Sequence, residues 1–426
     1  MKMMKHKLMF ATLSCALCLS AFGQSKEEEK TFIKENMEFA VDQYHLMLQT
    51  PPQGKEGKGV MPHSMRKDGT VAKGSIYLWT SGFFPGSLWY LSDYTGNREM
   101  KDAALEYTQK MEPVKTFTDN HDIGFMMYCS YGNANRFAPK AEYNDILIES
   151  AKSLCTRFSP VTGVIKSWNS WRSWNDETRF EYPVIIDNMM NLELLFAASR
   201  ISGDDTYKNV AVSHALKTSK YHMREDGSFY HIAMYDPKTG DFIKGETSQG
   251  YSDNSAWSRG QGWAIYGFTV VYRETGDKRF LATAEKAADY YINHPNLPAD
   301  KVAWWDFNAH QEGFTPGIRS NACKLTANYR DASAAALVAS ALFELSGYVK
   351  GKKSELYLKT AKQILHSLGS EKYRAKLGEN ANFIIMHCTG AIPQNSEIDV
   401  PLTYADYYFI EALHRYNKIL NDEPLF

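Results

Sequence analysis

Several positions in the sequence place residues capable of chemistry at the predicted start of an apolar helix. They are His121-Asp122, Asp187-Asn188, Arg259 with Trp263, Arg330-Asp331, and Tyr404 with Asp406. Two carboxylic acids in one cavity provide the acid and base that cleavage of a glycosidic bond usually requires. Arginine is a two-pronged donor for carboxylates, and flat indole rings suit sugar rings. This set of residue types is compatible with an acidic sugar as the ligand.

Each of these residues also has a purely structural interpretation. An aspartate directly before an apolar run is a common helix N-cap, so Asp122 and Asp187 fit capping as well as catalysis. Arg259 fits a structural ion pair, and Trp263 fits the hydrophobic core. The choice therefore depends on whether the fold brings these residues to one place.

A repeated pattern predicts the elements that position them. Four stretches combine an apolar helix, a small residue with glycine, and an amphipathic helix, namely residues 86–111, 190–221, 263–292 and 332–368. Glycine ends a helix cheaply because it adopts a left-handed conformation without strain. The first helix of each pair is apolar nearly all round and should be inner, whereas the second is polar on one face and should be outer.

Two looser units complete the series. Residues 123–131 pair with residues 142–158, and residues 404–416 form a last inner helix whose outer partner is supplied by residues 27–48. Six inner and six outer helices predict an all-α fold, an (α/α)6 barrel of six helical hairpins, in one domain over residues 24–426. An open helical array is disfavoured because the units are irregularly spaced.

Long aromatic loops, residues 159–183, 224–257 and 297–329, join each outer helix to the next inner one. They should therefore gather at one end of the ring, and the strand-like residues 228–235 predict a β-hairpin in the middle loop. The inner helices begin at the same end, where their positive termini favour an anionic ligand. Together with Arg259, Trp79, Trp257 and Trp263, this arrangement predicts a pit for an acidic sugar.

Composition narrows the class of protein. The formal net charge is −1 and no basic stripe is present, which argues against nucleic acid as a partner. No cysteine pair has metal-ligand spacing, no cluster of histidine and aspartate does either, and no stretch is long enough for a membrane span. We expect no metal and no cofactor.

The N-terminal residues have the features of an export signal. Lys2, Lys5 and Lys7 precede an apolar run over residues 8–22, and small residues precede Gln24. This predicts a signal peptide over residues 1–23 and a periplasmic location. Lipid attachment at Cys15 or Cys18 is an alternative, although the residues before each cysteine fit it poorly.

Five motifs resemble those of the unsaturated glucuronyl hydrolases, glycoside hydrolase family 88. They are TDNHDIGF (residues 118–125), IDNMMN (186–191), QGYSDNS (249–255), WSRGQGW (257–263) and SEIDVPL (396–402). The resemblance runs in order from about Trp79 to the last helix. That family is an α/α six-hairpin barrel, which agrees with the repeat count.

The resemblance implies a hydrolase that removes a 4,5-unsaturated glucuronic acid from oligosaccharides made by polysaccharide lyases. Asp187 matches the residue that protonates C4 of the enol ether and activates the water attacking C5, and Asp122 matches its partner, which holds the sugar hydroxyls. The site around the unsaturated ring would be lined by His121, His231, Gln249, Arg259, Trp257 and Trp263. We expect Arg259 to bind the uronate carboxylate, while His231 also fits a buried structural role.

Three alternatives remain open at this stage. An unsaturated rhamnogalacturonyl hydrolase would share the barrel and the chemistry but act on pectin fragments. A non-catalytic sugar-binding protein of the envelope would keep the aromatic residues without needing both aspartates, and a metal-dependent hydrolase would need ligands that the spacing does not provide. Residues 388–395 carry no basic residue, whereas relatives acting on sulfated glycosaminoglycans tend to have lysine there, so sulfate recognition at that subsite is in doubt.

Overall fold

The computed structural model describes residues 25–54 and 58–426. The predicted signal peptide, residues 1–23, lies outside the described residues. In the part of the chain that is described, no helix has the length and apolar character needed to cross a membrane.

The helices follow the predicted alternation of inner and outer positions. In chain order they are α1 (Lys26–Leu48), α2 (Phe83–Thr95), α3 (Arg98–Lys110), α4 (Ile123–Met127), α5 (Asn133–Phe137), α6 (Ala141–Cys155), α7 (Leu192–Ser202), α8 (Asp205–Tyr221), α9 (Ser258–Thr275), α10 (Lys278–Asn293), α11 (Ala332–Ser346), α12 (Lys352–Leu368) and α13 (Thr403–Leu420). A π-helical turn, Tyr128–Gly132, joins α4 to α5, and these three segments together form one inner position.

The inner helices pack against one another in a closed ring. Helix α9 contacts α11, α11 contacts α13, and α13 contacts α2. Every residue of α11 is buried, whereas α10 buries only one face, from Phe280 to Ile292. Helix α1 packs against both α13 and α2, so it is the outer helix between the ends of the ring. The predicted (α/α)6 barrel is confirmed for the described residues.

Glycine ends most of the inner helices as the repeat predicts. Gly96, Gly203 and Gly276 follow α2, α7 and α9 in the left-handed region, with φ of 67°, 73° and 68°. The expectation is wrong for Gly347, which follows α11 in the right-handed region with φ −74°. There the positive φ falls at Gly351 (φ 60°, ψ −140°), directly before α12.

Short strands shape the loops at the helix-start end of the barrel. They are β1 (Met61–Met65), β2 (Val71–Gly74), β3 (Phe158–Ser159), β4 (Val164–Ile165), β5 (Trp171–Arg172), β6 (Arg179–Phe180), β7 (Pro183–Ile185), β8 (Ile232–Tyr235), β9 (Phe242–Glu246), β10 (Cys388–Ala391) and β11 (Ser396–Val400). The hairpin predicted in the middle loop is confirmed as β8 and β9. Strand β7 joins it as a third strand, which the sequence did not indicate.

Candidate active site

Asp122 lies directly before α4, at the position of a helix N-cap. Its side chain nevertheless makes no capping hydrogen bond. The carboxyl is 13% exposed, and its Oδ1 lies 3.3 Å from Nε2 of His121. Burial raises the pKa of Asp122, the negative charge of Asp187 raises it further, and His121 opposes the shift. The capping interpretation therefore does not account for this carboxyl, which is directed to the site.

Asp187 lies in a 3-10 turn, Ile186–Asn191, between β7 and α7. The N-cap residue of this turn is Ile185, so capping does not account for Asp187 either. Its Oδ2 is buried without a hydrogen-bond partner, and Nε2 of His231 lies 3.5 Å away. A buried polar atom left without a partner is costly to folding. Such an oxygen is expected where a substrate or water completes the site.

His231 supports Asp187 in one defined tautomer. Its Nδ1 accepts hydrogen bonds from the backbone N–H groups of Ser248 (3.1 Å) and Gln249 (3.0 Å). The ring proton must therefore be on Nε2, which faces Asp187. Burial lowers the pKa of His231, against the opposing effect of the Asp187 carboxylate, so the imidazole is neutral at neutral pH. His231 is buried, but it contacts a candidate catalytic acid.

Arg259, in the first turn of α9, is fully buried and held by protein acceptors. Nη1 donates to Oδ2 of Asp331 (2.6 Å) and to the carbonyl of Thr389 (2.6 Å), and Nη2 donates to the carbonyl of Gly390 (2.6 Å). The guanidinium also stacks on Trp257, 4.6 Å from the ring centre. These bonds correspond to the structural ion pair, the alternative interpretation. We expected Arg259 to donate two hydrogen bonds to the uronate carboxylate. Nη1 is not free to do so, because it already donates to protein oxygens.

The tryptophans differ in how far they reach the site. Trp257 packs on the ring of His231, with ring centres 4.4 Å apart. Trp79 is half-buried and lies 5.0 Å from the ring of Tyr404. Trp263 is completely buried and its indole nitrogen has no hydrogen-bond partner. The core interpretation accounts for the packing of Trp263, and its contact with a sugar stays a prediction.

The carboxylate of Glu397, on β11, also belongs to this region, and the sequence did not predict it. Gln249 donates to the Gly390 carbonyl (3.3 Å), and a Cβ on Gly390 would lie 2.3 Å from Oε2 of Glu397. Oε1 of Glu397 is 2.5 Å from Nε2 of His63. Glu397 lies within one of the five recognised motifs, but its φ of 55° and its contact with β1 have no sequence signal.

A cavity of about 480 Å³ lies among the inner helices and is lined by none of the predicted site residues, although Gly124 and Phe125 of α4 belong to its wall. The wall also contains Arg273 and Arg415, which form ion pairs with Glu344. Among the described residues, no group of three or more His, Cys, Asp or Glu side chains is placed to hold a metal ion.

A closed helical ring with two acids at the starts of adjacent inner elements is the architecture of a barrel-type glycoside hydrolase. Residues 55–418 match Glycosyl Hydrolase Family 88, and the chain belongs to this family.

Relatives support this assignment over nearly the whole chain. The unsaturated glucuronyl hydrolase of Formosa agariphila is 42% identical over 405 residues, 95% of each protein. That of Bacillus sp. (strain GL1) is 32% identical over 351 residues, covering 80% of this chain and 86% of the relative. A crystal structure of an unsaturated glucuronyl hydrolase specific for heparin superposes with a TM-score of 0.82 at 41% identity, covering 92% of this chain and 98% of that one.

Proposed function

We propose that the protein is an unsaturated glucuronyl hydrolase that removes the 4,5-unsaturated glucuronic acid from the non-reducing end of lyase-generated glycosaminoglycan-type oligosaccharides. The observation that carries the proposal is the pair Asp122 and Asp187. Both carboxyls stand at the start of a helical segment, neither caps it, and each faces a histidine Nε2. A sugar-binding protein without turnover would not need two buried acids in this state.

The reaction is a hydration of the C4=C5 enol ether. Asp187 gives a proton to C4, and a water adds its hydroxyl to C5 while its remaining proton passes to Asp187. The product is a hemiketal at C5, which rearranges and releases the remaining sugar. The Nε2–H of the neutral His231 faces Oδ2 of Asp187 at 3.5 Å, where it can stabilise the carboxylate left after proton transfer.

Asp122 binds sugar hydroxyls and supports the developing charge. Burial raises the pKa of this carboxyl, and hydrogen bonds from substrate hydroxyls would replace the solvation that burial removes. The unsaturated ring is surrounded by His121, His231, Gln249, Trp257, Trp263 and Trp79. Arg259 acts by positive charge and by holding the β10–β11 hairpin, through its bonds to Thr389 and Gly390.

We expect that the leaving sugar is not held through a sulfate by residues of the hairpin turn. Residues 388–395 contain no lysine or arginine. Two loop cations are also engaged, since Lys244 pairs with Glu246 at 2.5 Å and Arg319 donates to the Ser173 carbonyl at 2.7 Å. One hydrogen bond to a charged group contributes about 1.5–3 kcal/mol. We therefore expect less than about a 10-fold preference in kcat/KM for a sulfated over an unsulfated leaving sugar, below what such a bond would give.

The proposal is tested with unsaturated disaccharides prepared from heparin, chondroitin and rhamnogalacturonan. The assay follows loss of the absorbance of the conjugated double bond. Turnover of a glycosaminoglycan product is the expected result. Activity on the pectin product alone would contradict the proposal, and binding without turnover of any of the three would favour a sugar-binding protein.

We also propose that the protein is exported to the periplasm. The support is the sequence of the first 23 residues, in which three lysines precede an apolar run. N-terminal sequencing of protein recovered from a periplasmic extract should begin near Gln24. A chain that keeps Met1 and stays with the cytoplasmic fraction would contradict export.

A further inference from the structure

Asn191 connects the two elements that carry the candidate acids. It is the last residue of the 3-10 turn Ile186–Asn191 and is fully buried. Across from it, a Cβ added to Gly124 would lie 2.4 Å from Asn191 Oδ1 and 2.5 Å from its Cα. The helix that follows Asp122 can therefore approach this turn only because residue 124 is glycine.

The carbonyl end of the Asn191 amide caps helix α4. Its Oδ1 accepts a hydrogen bond of 2.9 Å from the backbone N–H of Phe125. With Asp122 as N-cap residue, Phe125 is the third residue of the helix, and its N–H is one that an N-cap aspartate normally takes. Asn191, on the neighbouring 3-10 turn, thus accepts the hydrogen bond that the Asp122 side chain would otherwise accept. The Asp122 carboxyl is left free for the site.

The amino end of the same amide fixes the tautomer of His121. A backbone N–H can only donate, so Oδ1 must face Phe125 and Nδ2 must face the other way. Nδ2 lies 3.1 Å from Nδ1 of His121, which must accept. The His121 proton is then on Nε2, 3.3 Å from Oδ1 of Asp122.

We propose that Asn191 is a positioning residue for the reaction: it caps α4 in place of Asp122 and holds His121 with its Nε2–H towards the Asp122 carboxylate. This inference deepens the proposed function and rests on it for the role of Asp122. Asn191 touches neither substrate nor reacting atoms. It acts through His121 and through the freedom it gives to Asp122.

The variant Asn191→Asp separates these roles with little change of shape. One carboxylate oxygen still accepts from Phe125, so the helix cap and the packing against Gly124 are kept. The other oxygen faces Nδ1 of His121 as an acceptor and forces the ring proton to Nδ1. We expect kcat to fall about 10- to 100-fold, the loss typical when the hydrogen-bond partner that orients a metal-bound imidazole is removed, while KM changes less than about 3-fold.

Nitrogen NMR of histidine-labelled protein gives the readout that a merely structural role would not change. Wild type should show His121 protonated at Nε2 and unprotonated at Nδ1, and Asn191→Asp should show a protonated Nδ1. An unchanged tautomer, or a kcat within twofold of wild type, would overturn the proposal. Because this signal needs no turnover, it still tests Asn191 if the unsaturated disaccharides prove not to be substrates.

The matched control is Asn36→Asp. Asn36 is also buried, its Nδ2 donates to the Phe32 carbonyl (2.8 Å), and its Oδ1 accepts from Arg374 (2.8 Å). It lies on the outer helix α1, so the same chemical change is made away from the acids. This control should keep wild-type kcat and the wild-type His121 tautomer. A fall in kcat equal to that of Asn191→Asp would mean that any buried Asn→Asp change suffices, and would count against the proposal.

Discussion

Replacing Asp187 with asparagine should abolish turnover without weakening the fold. The Oδ2 atom of Asp187 has no hydrogen-bond partner in the protein, so the substitution breaks no bond through this oxygen. The amide oxygen can face Nε2 of His231, which lies 3.5 Å from Oδ2. Because a buried carboxyl oxygen without a partner is replaced by an amide of the same shape, we expect the free energy of unfolding to stay within about 1 kcal/mol of wild type or to rise.

The catalytic loss can be estimated from the two proton transfers assigned to Asp187. Each general acid or base step typically contributes about 10²- to 10⁴-fold. We therefore expect kcat to fall at least about 10³-fold, or about 4 kcal/mol at 1.36 kcal/mol per factor of ten. Initial rates on an unsaturated disaccharide give kcat, calorimetry gives Kd, and urea denaturation gives the free energy of unfolding, all on one preparation.

Asp119→Asn is the control, because Asp119 is exposed and belongs to the same motif as Asp122. It should behave as wild type in all three measurements. The reasoning is refuted if Asp187→Asn retains kcat within about tenfold of wild type, far short of the contribution expected of a general acid. It is also refuted if activity is lost together with more than about 3 kcal/mol of stability, since that would be the signature of a structural group.

Three further changes test the packing around the site. Burial raises the pKa of Asp406 to about 7, above about 3.9 in the unfolded chain. The protonated carboxyl therefore contributes fully to stability below about pH 4, and up to about 4 kcal/mol of the free energy of unfolding is lost as the pH rises through 7. Urea denaturation should find this pH dependence flattened in Asp406→Asn. Arg259→Leu leaves the carboxylate of Asp331 buried without its partner and should cost about 3–5 kcal/mol in urea denaturation, whereas an unchanged midpoint would rule out a structural ion pair. Gly124→Ala forces a Cβ to within 2.4 Å of Asn191 and should cost about 1–3 kcal/mol, with a fall in kcat; a fully active variant would contradict the close approach.

Repetition made the barrel predictable from sequence. Apolar helices, glycine stops and amphipathic partners recur, and a local physical preference fixes each of them. The error at Gly347 shows the limit, since Gly347 ends α11 with a right-handed backbone and the positive φ falls instead at Gly351, which precedes α12.

The roles of individual polar residues were harder to predict. Asp331 does cap α11, accepting from the N–H of Ser333, whereas Asp122 precedes its helix in the same way and does not cap it. The difference lies in Asn191, 69 residues later in the chain by number, so no local pattern encodes it. Arg259 is similar, because its acceptors come from β10 and from Asp331. The roles of Asp122 and Arg259 depend on which loops contact each other in the closed ring, and a local sequence pattern does not contain that information.

Ring closure by α1 has a consequence for how the chain folds. This first helix is held by residues near the other end of the sequence: Gln43 accepts from the N–H of Gly378, 335 positions away, and Asn36 accepts from Arg374, 338 positions away. Contacts of such long range slow folding, because loop-closure entropy is lost before the contacts reward it. Until the final hairpin exists, α1 has no complete surface on which to pack. A circular permutant in which α1 follows α13 directly would make this closure local, and it should fold faster to the same barrel.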